Sequence, residues 1–156
     1  MYLVTKMLHI AAVVIFLGNI ITGLFWHAWA ARTRDPGLLA FTMAGIIRSD
    51  RLFTVPGVVA IVATGITTAI QGELPILHTG WILWTIIVFS LSGLAFGFCV
   101  APLQRQLYSL AMGASHSKTF DYEPYRALAI RWELWGAFAV ILPIAGLLMM
   151  VLKPNL

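Results

Sequence analysis

The chain has 156 residues, of which 60% are apolar and only 10% are charged, and its formal net charge is +4. Soluble domains carry about 25% charged residues, so this composition excludes an ordinary soluble globular protein. The basic residues stand at the ends of apolar runs, which excludes a nucleic-acid-binding surface. The single cysteine, Cys99, excludes a disulfide framework and is expected to act as a small buried hydrophobe. We therefore expect one integral membrane domain over residues 1–156.

The first apolar run, residues 3–31, predicts a transmembrane helix, because no charged side chain lies between Lys6 and Arg32. We expect this helix to be retained, since its apolar region is longer than that of a secretory signal peptide. The run contains His9 and His27, which are 18 residues apart. This spacing is five helical turns, so the two imidazoles are predicted on one face, near opposite edges of the hydrocarbon.

Three further transmembrane spans are predicted along the chain, at about residues 52–70, 81–107 and 125–152. Asp35-Pro36 is a helix start signal, and the apolar segment that follows it either lies on the membrane surface or extends the second helix. The polar residues 112–123 predict a loop before the fourth span. The sequence thus predicts an all-α fold, a four-helix transmembrane bundle.

Basic residues are distributed unequally between the two predicted membrane faces. Only Lys6 and Lys153 lie on the face that holds both termini. Eight basic residues lie on the opposite face: Arg32, Arg34, Arg48, Arg51, Arg105, Lys118, Arg126 and Arg131. Because cytoplasmic loops are enriched in Lys and Arg, we predict that both termini are on the outer, periplasmic side of a bacterial inner membrane.

His9 is the leading candidate for chemistry. A histidine within a span is costly unless it has a partner, and a neutral imidazole can ligate a haem iron or another metal. The alternative is a hydrogen bond to a neighbouring helix or to interfacial water. His27 stands between Trp26 and Trp29, and we expect it to be an interfacial side chain. Asn19, near mid-span, is expected to hold helices together.

Charged residues cluster at one predicted membrane edge. Two roles are open for them: structural ion pairs between spans, or binding of an anionic headgroup or a haem propionate. The cluster consists of Arg48, Asp50, Arg51, Arg131 and Glu133.

Gly93 and Gly97 form a GxxxG pattern in the third span. This pattern permits close helix approach, either within the monomer or in a homo-oligomer. The sequence contains no nucleophile–base pair, glycine-rich phosphate loop or paired carboxylates. The residues themselves therefore support a membrane bundle with one or two unusual histidines.

The start of the first span, Lys6-Met7-Leu8-His9-Ile10, resembles the lysine–any–leucine–histidine start of HemJ-type protoporphyrinogen oxidases and of copper-resistance D-type membrane domains. The resemblance continues through Arg48–Arg51 and a proline-containing second span, and it ends at Val151–Pro154. The chain is also similar to a family of small predicted bacterial membrane proteins, with which it shares Pro102-Leu103-Gln104. The resemblance covers nearly the whole chain.

The resemblance implies that His9 holds haem b in a redox or haem-handling protein, which could be an oxidoreductase with a membrane redox partner. HemJ-type enzymes have a lysine early in the third span, where this chain has Trp81–Thr85. If haem is bound, Arg48 is a candidate for contact with a haem propionate. Three residues are candidates for the second axial ligand: Met149, Met150 and His78. The alternatives are a non-catalytic accessory or structural bundle and, after it, a copper or small-solute permease.

Overall fold

Four long helices make up the chain. The computed structural model describes residues 1–117 and 120–154, and this part of the chain contains no strand. The helices are α1 (Tyr2–Ala31), α2 (Pro36–Gln71), α3 (Gly80–His116) and α4 (Tyr122–Leu152). Each is long and apolar enough to cross a membrane, with a mean hydropathy between 1.8 and 2.3 in its most apolar window. The predicted all-α bundle of four spans is confirmed.

Helices α2 and α3 are longer than the sequence predicted. The Asp35 side chain caps α2 by accepting the Gly37 N–H at 2.8 Å, so the apolar segment after Pro36 extends the second helix. Helix α3 continues to His116 and α4 begins at Tyr122, so the prediction of a loop over residues 112–123 is wrong for residues 112–116 and 122–123. Ala111 is fully buried in this part of α3, and its packing outweighs the low helix propensity of the polar residues around it. Lys118 lies outside the described residues.

A π-helical turn interrupts each of these two helices, at the same distance from a proline. The turns are Asp50–Thr54 in α2 and Phe96–Val100 in α3, and each ends two residues before a proline, Pro56 or Pro102. Proline has no N–H, and its ring crowds the carbonyl group four residues earlier. A widened turn accommodates both effects, and such turns are frequent at functional sites.

The bundle has two halves. We call one the terminal half, because it contains both termini: residues 2–17, Val55–Gln71, Gly80–Ala95 and 140–152. The other is the basic half: residues 18–31, 36–54, 96–116 and 122–139. In the terminal half Thr5 Oγ1 donates to Gln71 Oε1 at 3.0 Å, and in the basic half the Tyr122 O–H donates to the Ala31 carbonyl at 3.0 Å. Both termini therefore lie at one end, whereas the side of the membrane that this end faces stays a prediction.

The two halves are packed differently. In the terminal half α1 packs against Val55–Gln71 of α2, and α4 packs against Gly80–Ala95 of α3. The backbones of these α2 and α3 segments stay more than 8 Å from each other. Side chains join the two pairs, for example the rings of Phe16 and Phe89, whose centroids are 5.7 Å apart. In the basic half α2 and α3 pack directly against each other, and all four helices share one core.

Candidate functional site

Asp50 is a carboxyl group buried between three helices. It begins the π turn of α2 and is only 7% exposed. Its Oδ1 accepts hydrogen bonds from Asn19 Nδ2 in α1 at 3.1 Å and from Thr54 Oγ1 at 2.7 Å, and its Oδ2 accepts from Gln104 Nε2 in α3 at 2.8 Å. Asn19 Nδ2 also donates to Thr54 Oγ1 at 2.9 Å. We call these four residues the aspartate cluster.

The partners of Asp50 differ from one of the two roles that the sequence left open, an ion pair with a charged residue of the fourth span such as Arg131. The Asp50 side chain faces α1 and α3 instead, and no ion pair of Asp50 occurs in residues 1–117 and 120–154. Its level relative to the membrane edge stays a prediction. Its partner Asn19 belongs to the uncharged run of α1, so the carboxyl group is enclosed by the bundle at the level of Arg51. The expectation that Asn19 joins helices is confirmed.

The partners of Asp50 share a chemical property. A hydroxyl group both donates and accepts, and a primary amide carries a carbonyl oxygen beside its N–H₂ group. All three partners donate to the ionised carboxylate in the geometry described above. If Asp50 takes up a proton, its O–H can donate to Thr54, Asn19 or Gln104 once that group turns. A lysine or arginine partner lacks this option, because it only donates.

A small cavity adjoins the aspartate cluster. Its volume is about 20 Å³, and one water molecule needs about 10–15 Å³ by this measure. Apolar side chains form most of the wall, together with Asn19, Asp50, Gln104 and Trp132. The indole Nε1 of Trp132 is buried and has no hydrogen-bond partner in the described part of the chain. The cavity is therefore large enough for one water, but the surface that faces its open space is apolar.

His27 packs against Trp132 within the basic half. It is fully buried, and its ring meets the Trp132 ring edge-on with centroids 4.7 Å apart. Its Nε2 lies 3.0 Å from the Tyr125 hydroxyl. Its Nδ1 lies 3.2 Å from Glu133 Oε1, which is close enough for an ion pair with a protonated imidazole, although the angle is outside the hydrogen-bond range. The Glu133 side chain is 45% exposed, so these contacts connect the buried histidine with the surroundings.

The prediction that His27 is interfacial is wrong. Its neighbours Trp26 and Trp29 are exposed, whereas His27 points to the opposite side of α1 and is covered by α4. The signal that sequence reasoning missed is the pair Tyr125 and Glu133, two polar side chains about two turns apart on α4.

His9 lies in the terminal half, against α2. Its Nδ1 is 3.0 Å from the Ile61 carbonyl oxygen and 3.2 Å from Thr64 Oγ1. The ring fits closely because residue 65 is glycine: a Cβ on Gly65 would lie 3.0 Å from the ring Cε1. With the proton assigned to Nδ1 to satisfy the carbonyl, Nε2 is left as a free ligand atom, as in metal-binding histidines. The same contact also serves a histidine that only joins two helices.

The three candidates for a second haem ligand form no hydrogen bond with His9 among the described residues. His78 is exposed in the connection between α2 and α3, and Met149 and Met150 are half-buried in α4. Ile144 of α4 packs against an apolar cluster that includes Ala12 of α1, one turn after His9. Met149 and Met150 follow Ile144 by one to two turns of α4, so they lie at a depth similar to that of His9.

Arg48 belongs to a different part of the molecule from His9. Ile61, which contacts His9, is 13 residues further along α2, a rise of about 20 Å. Arg48 instead lines an open cleft of the basic half with Arg51 and Arg105. No group of three or more His, Cys, Asp or Glu side chains that could hold a metal ion occurs in the part of the chain that the structure describes.

Gly93 and Gly97 face away from the bundle. A Cβ built on either glycine would meet no atom within 4 Å. The pattern therefore makes no close helix contact within the described part of the monomer. Of the two options that the sequence left open, association between copies stays as a proposal.

Cys99 lies in the π turn of α3. It is half-buried, so the expectation of a fully buried side chain is wrong. Its surroundings do not change its interpretation as a small apolar residue.

One family model matches the chain, whereas neither a curated protein nor a solved structure matches it significantly. This family model, described as a predicted integral membrane protein (DUF2269), matches residues 3–154, which include nearly all of the four helices. This agrees with the expected family of small membrane proteins, and the four spans imply a lipid bilayer as the surroundings. The chain belongs to the DUF2269 family of predicted integral membrane proteins.

Proposed function

We propose that the protein conducts protons across the membrane, with Asp50 as the group inside the bundle that binds and releases them. The observation that carries this proposal is a buried carboxyl group whose three partners are neutral and can each reverse a hydrogen bond. Ionisable residues within spans are costly, and they commonly mark proton or ion pathways. The aspartate cluster supports both protonation states without a large movement of the helices.

The basic half also supports a connection between Asp50 and the surroundings. Glu133 is partly exposed and contacts His27, and His27 packs on Trp132, which lines the cavity beside Asp50. An imidazole accepts a proton on one nitrogen and releases one from the other. Trp132 separates His27 from the aspartate cluster, so proton exchange between them requires that a water molecule enters the apolar cavity and that a polar side chain of its wall turns toward it.

Proton flux into liposomes tests this function. Purified protein is reconstituted with an internal pH-sensitive dye, and a membrane potential is imposed. We expect wild-type protein to raise the flux above that of protein-free liposomes and Asp50→Asn to abolish the increase. Glu123→Gln is the matched control, because it removes one carboxylate at an exposed position outside the cluster. Wild-type flux in folded Asp50→Asn protein, or no flux in the wild type, would contradict the proposal.

A second candidate function is haem b binding by His9, in a redox or haem-handling protein similar to HemJ-type oxidases and copper-resistance D-type domains. The observation that favours it is the Nδ1 contact with the Ile61 carbonyl, since axial histidines are held in this way. Met149 or Met150 would supply the second ligand. Haem bound there would provide one-electron chemistry for a membrane redox partner.

The visible spectrum of the purified protein tests this second candidate. Haem b gives a Soret band and sharp bands on reduction, and we expect His9→Ala to lose them. His116→Ala is the control, because His116 is exposed at the end of α3. Methionine ligation would raise the reduction potential above that of bis-histidine haem. A colourless folded wild type, or an unchanged spectrum in His9→Ala, would leave His9 as a residue that joins α1 to α2.

We also propose that two copies associate through the face that carries Gly93 and Gly97. Its support is the open space above both glycines, which allows a second helix to approach the α3 backbone closely.

A further inference from the structure

Three arginines surround an open cleft of the basic half. The cleft has a volume of about 400 Å³ and lies where residues 36–49 of α2 pack against residues 101–116 of α3. It is lined by Arg48, Arg51, Arg105 and Tyr108, with Ala44 and Ile47 as an apolar part of the wall.

The three guanidinium groups have no anionic partner within the described residues. All three side chains are exposed, and none forms an ion pair or a hydrogen bond in that part of the chain. Other arginines at this end are placed differently: Arg32 lies over the Trp29 ring and Arg34 over the Tyr122 ring. Three like charges around one cleft repel each other, and a bound anion would offset that repulsion.

The position of the cleft along the helices indicates the kind of anion. An uncharged run of 20 residues in α2, residues 52–71, starts directly after Arg51, and one of 25 residues in α3, residues 80–104, ends directly before Arg105. About 20 residues of helix cross the hydrocarbon of a bilayer. The arginines therefore lie at the level of the lipid headgroups, where Tyr108 also fits the preference of tyrosine for the interface.

We propose that this cleft binds the phosphate of an anionic phospholipid headgroup. Guanidinium groups recognise phosphate oxygens through paired N–H donors, and arginine is preferred over lysine for such contacts. Ala44 and Ile47 provide an apolar surface for the glycerol backbone and the start of the acyl chains. The site lies outside the aspartate cluster and requires neither proton transfer nor haem.

Lipid binding to delipidated protein in detergent, followed by native mass spectrometry, tests this site. The probes are phosphatidylglycerol, phosphatidylcholine and inorganic phosphate. We expect wild-type protein to prefer phosphatidylglycerol over phosphatidylcholine, and each arginine-to-glutamine change in the cleft to weaken phosphatidylglycerol binding roughly fivefold. Arg131→Gln is the matched control, since Arg131 is also exposed and has no ion pair among the described residues but lies on α4, outside the cleft.

Each other outcome counts against the proposal. Equal affinity for the two lipids would show that the arginines do not recognise a net negative headgroup. Equal weakening by Arg105→Gln and Arg131→Gln would show that only the overall charge matters. Displacement of phosphatidylglycerol by an equal concentration of inorganic phosphate would assign the cleft to free phosphate instead of lipid. Circular dichroism of each variant shows that the helices are intact.

Discussion

The basic half and the terminal half both expose large apolar side chains but differ inside. In the basic half four helices share one core, which encloses Asp50 and His27 with their polar partners. In the terminal half the helices form two pairs, and His9 makes its polar contacts within one of them. Burial of apolar surface does not drive association between helices in lipid, so packing and polar contacts decide it. Both halves have both, but the polar contacts of the aspartate cluster join three helices, whereas those of the terminal half join helices in pairs.

The prolines of the spans are accommodated in two different ways. Pro56 and Pro102 each follow a π turn, whereas Pro143 lies within regular α-helix in α4. Pro143 has no N–H to offer the Ala139 carbonyl, and Ser92 Oγ of α3 donates to that carbonyl at 2.6 Å instead. Where a neighbouring side chain supplies the missing donor, the helix stays regular. The π turns of α2 and α3 both lie beside the aspartate cluster.

The largest expected effect is a difference in the free energy of unfolding between a variant that removes the polar centre of the basic half, Asp50, and one that removes that of the terminal half, His9. Asp50→Ala leaves the buried donors of Thr54 and Gln104 without their acceptor, and each unsatisfied group costs about 1–3 kcal/mol. We expect a loss of about 3 kcal/mol in the free energy of unfolding in mixed micelles. His9→Ala removes one partly buried hydrogen bond and should cost about 1 kcal/mol. Equal losses in the two variants would remove the distinction between the halves.

A smaller effect is expected from the close contact between His9 and α2. The Cβ of Gly65→Ala would meet the His9 ring at 3.0 Å, so the ring must move away from the Ile61 carbonyl. We expect a loss of about 1 kcal/mol, typical of mild overpacking, and a changed imidazole signal in NMR spectra. Gly18→Ala is the control, because its Cβ would meet open space. An unchanged His9 signal in Gly65→Ala would mean that the ring does not rest on α2.

The smallest effect on stability is expected at the outward-facing glycines. The double variant Gly93→Leu/Gly97→Leu places both side chains in open space, so the free energy of unfolding of the monomer should stay within about 0.5 kcal/mol. Cross-linking in liposomes should lose its dimer band, because the larger side chains prevent close approach. A dimer that persists would place the contact between copies on another face.

The sequence predicted the fold better than the site. Uncharged runs bounded by charged residues such as Lys6, Arg32, Arg51 and Arg105 determine the spans, because charge is costly in hydrocarbon, and each of the four helices contains one such run. The helix ends were less predictable, since burial of residues such as Ala111 keeps α3 helical through a polar segment.

The aspartate cluster could not be predicted from the sequence because its members come from three helices. Asp50 stands between Arg48 and Arg51, and such a triplet is typical of a membrane edge. Only the packing of α2 against α1 and α3 turns its carboxyl group inward while both arginines stay exposed. His9, by contrast, stands out in the sequence, because a histidine in the first apolar run is unusual whatever surrounds it.

The central claim is that Asp50 exchanges a proton inside the helix bundle, and infrared difference spectroscopy of the carboxyl group measures this directly. Films of reconstituted protein are titrated, and the C=O stretching band of a protonated carboxylic acid is followed in H₂O and D₂O. We predict a band that appears on acidification, shifts on deuteration, is absent in Asp50→Asn and persists in Glu123→Gln. A band that Asp50→Asn leaves unchanged, or no titrating buried carboxyl group at all, would contradict the account.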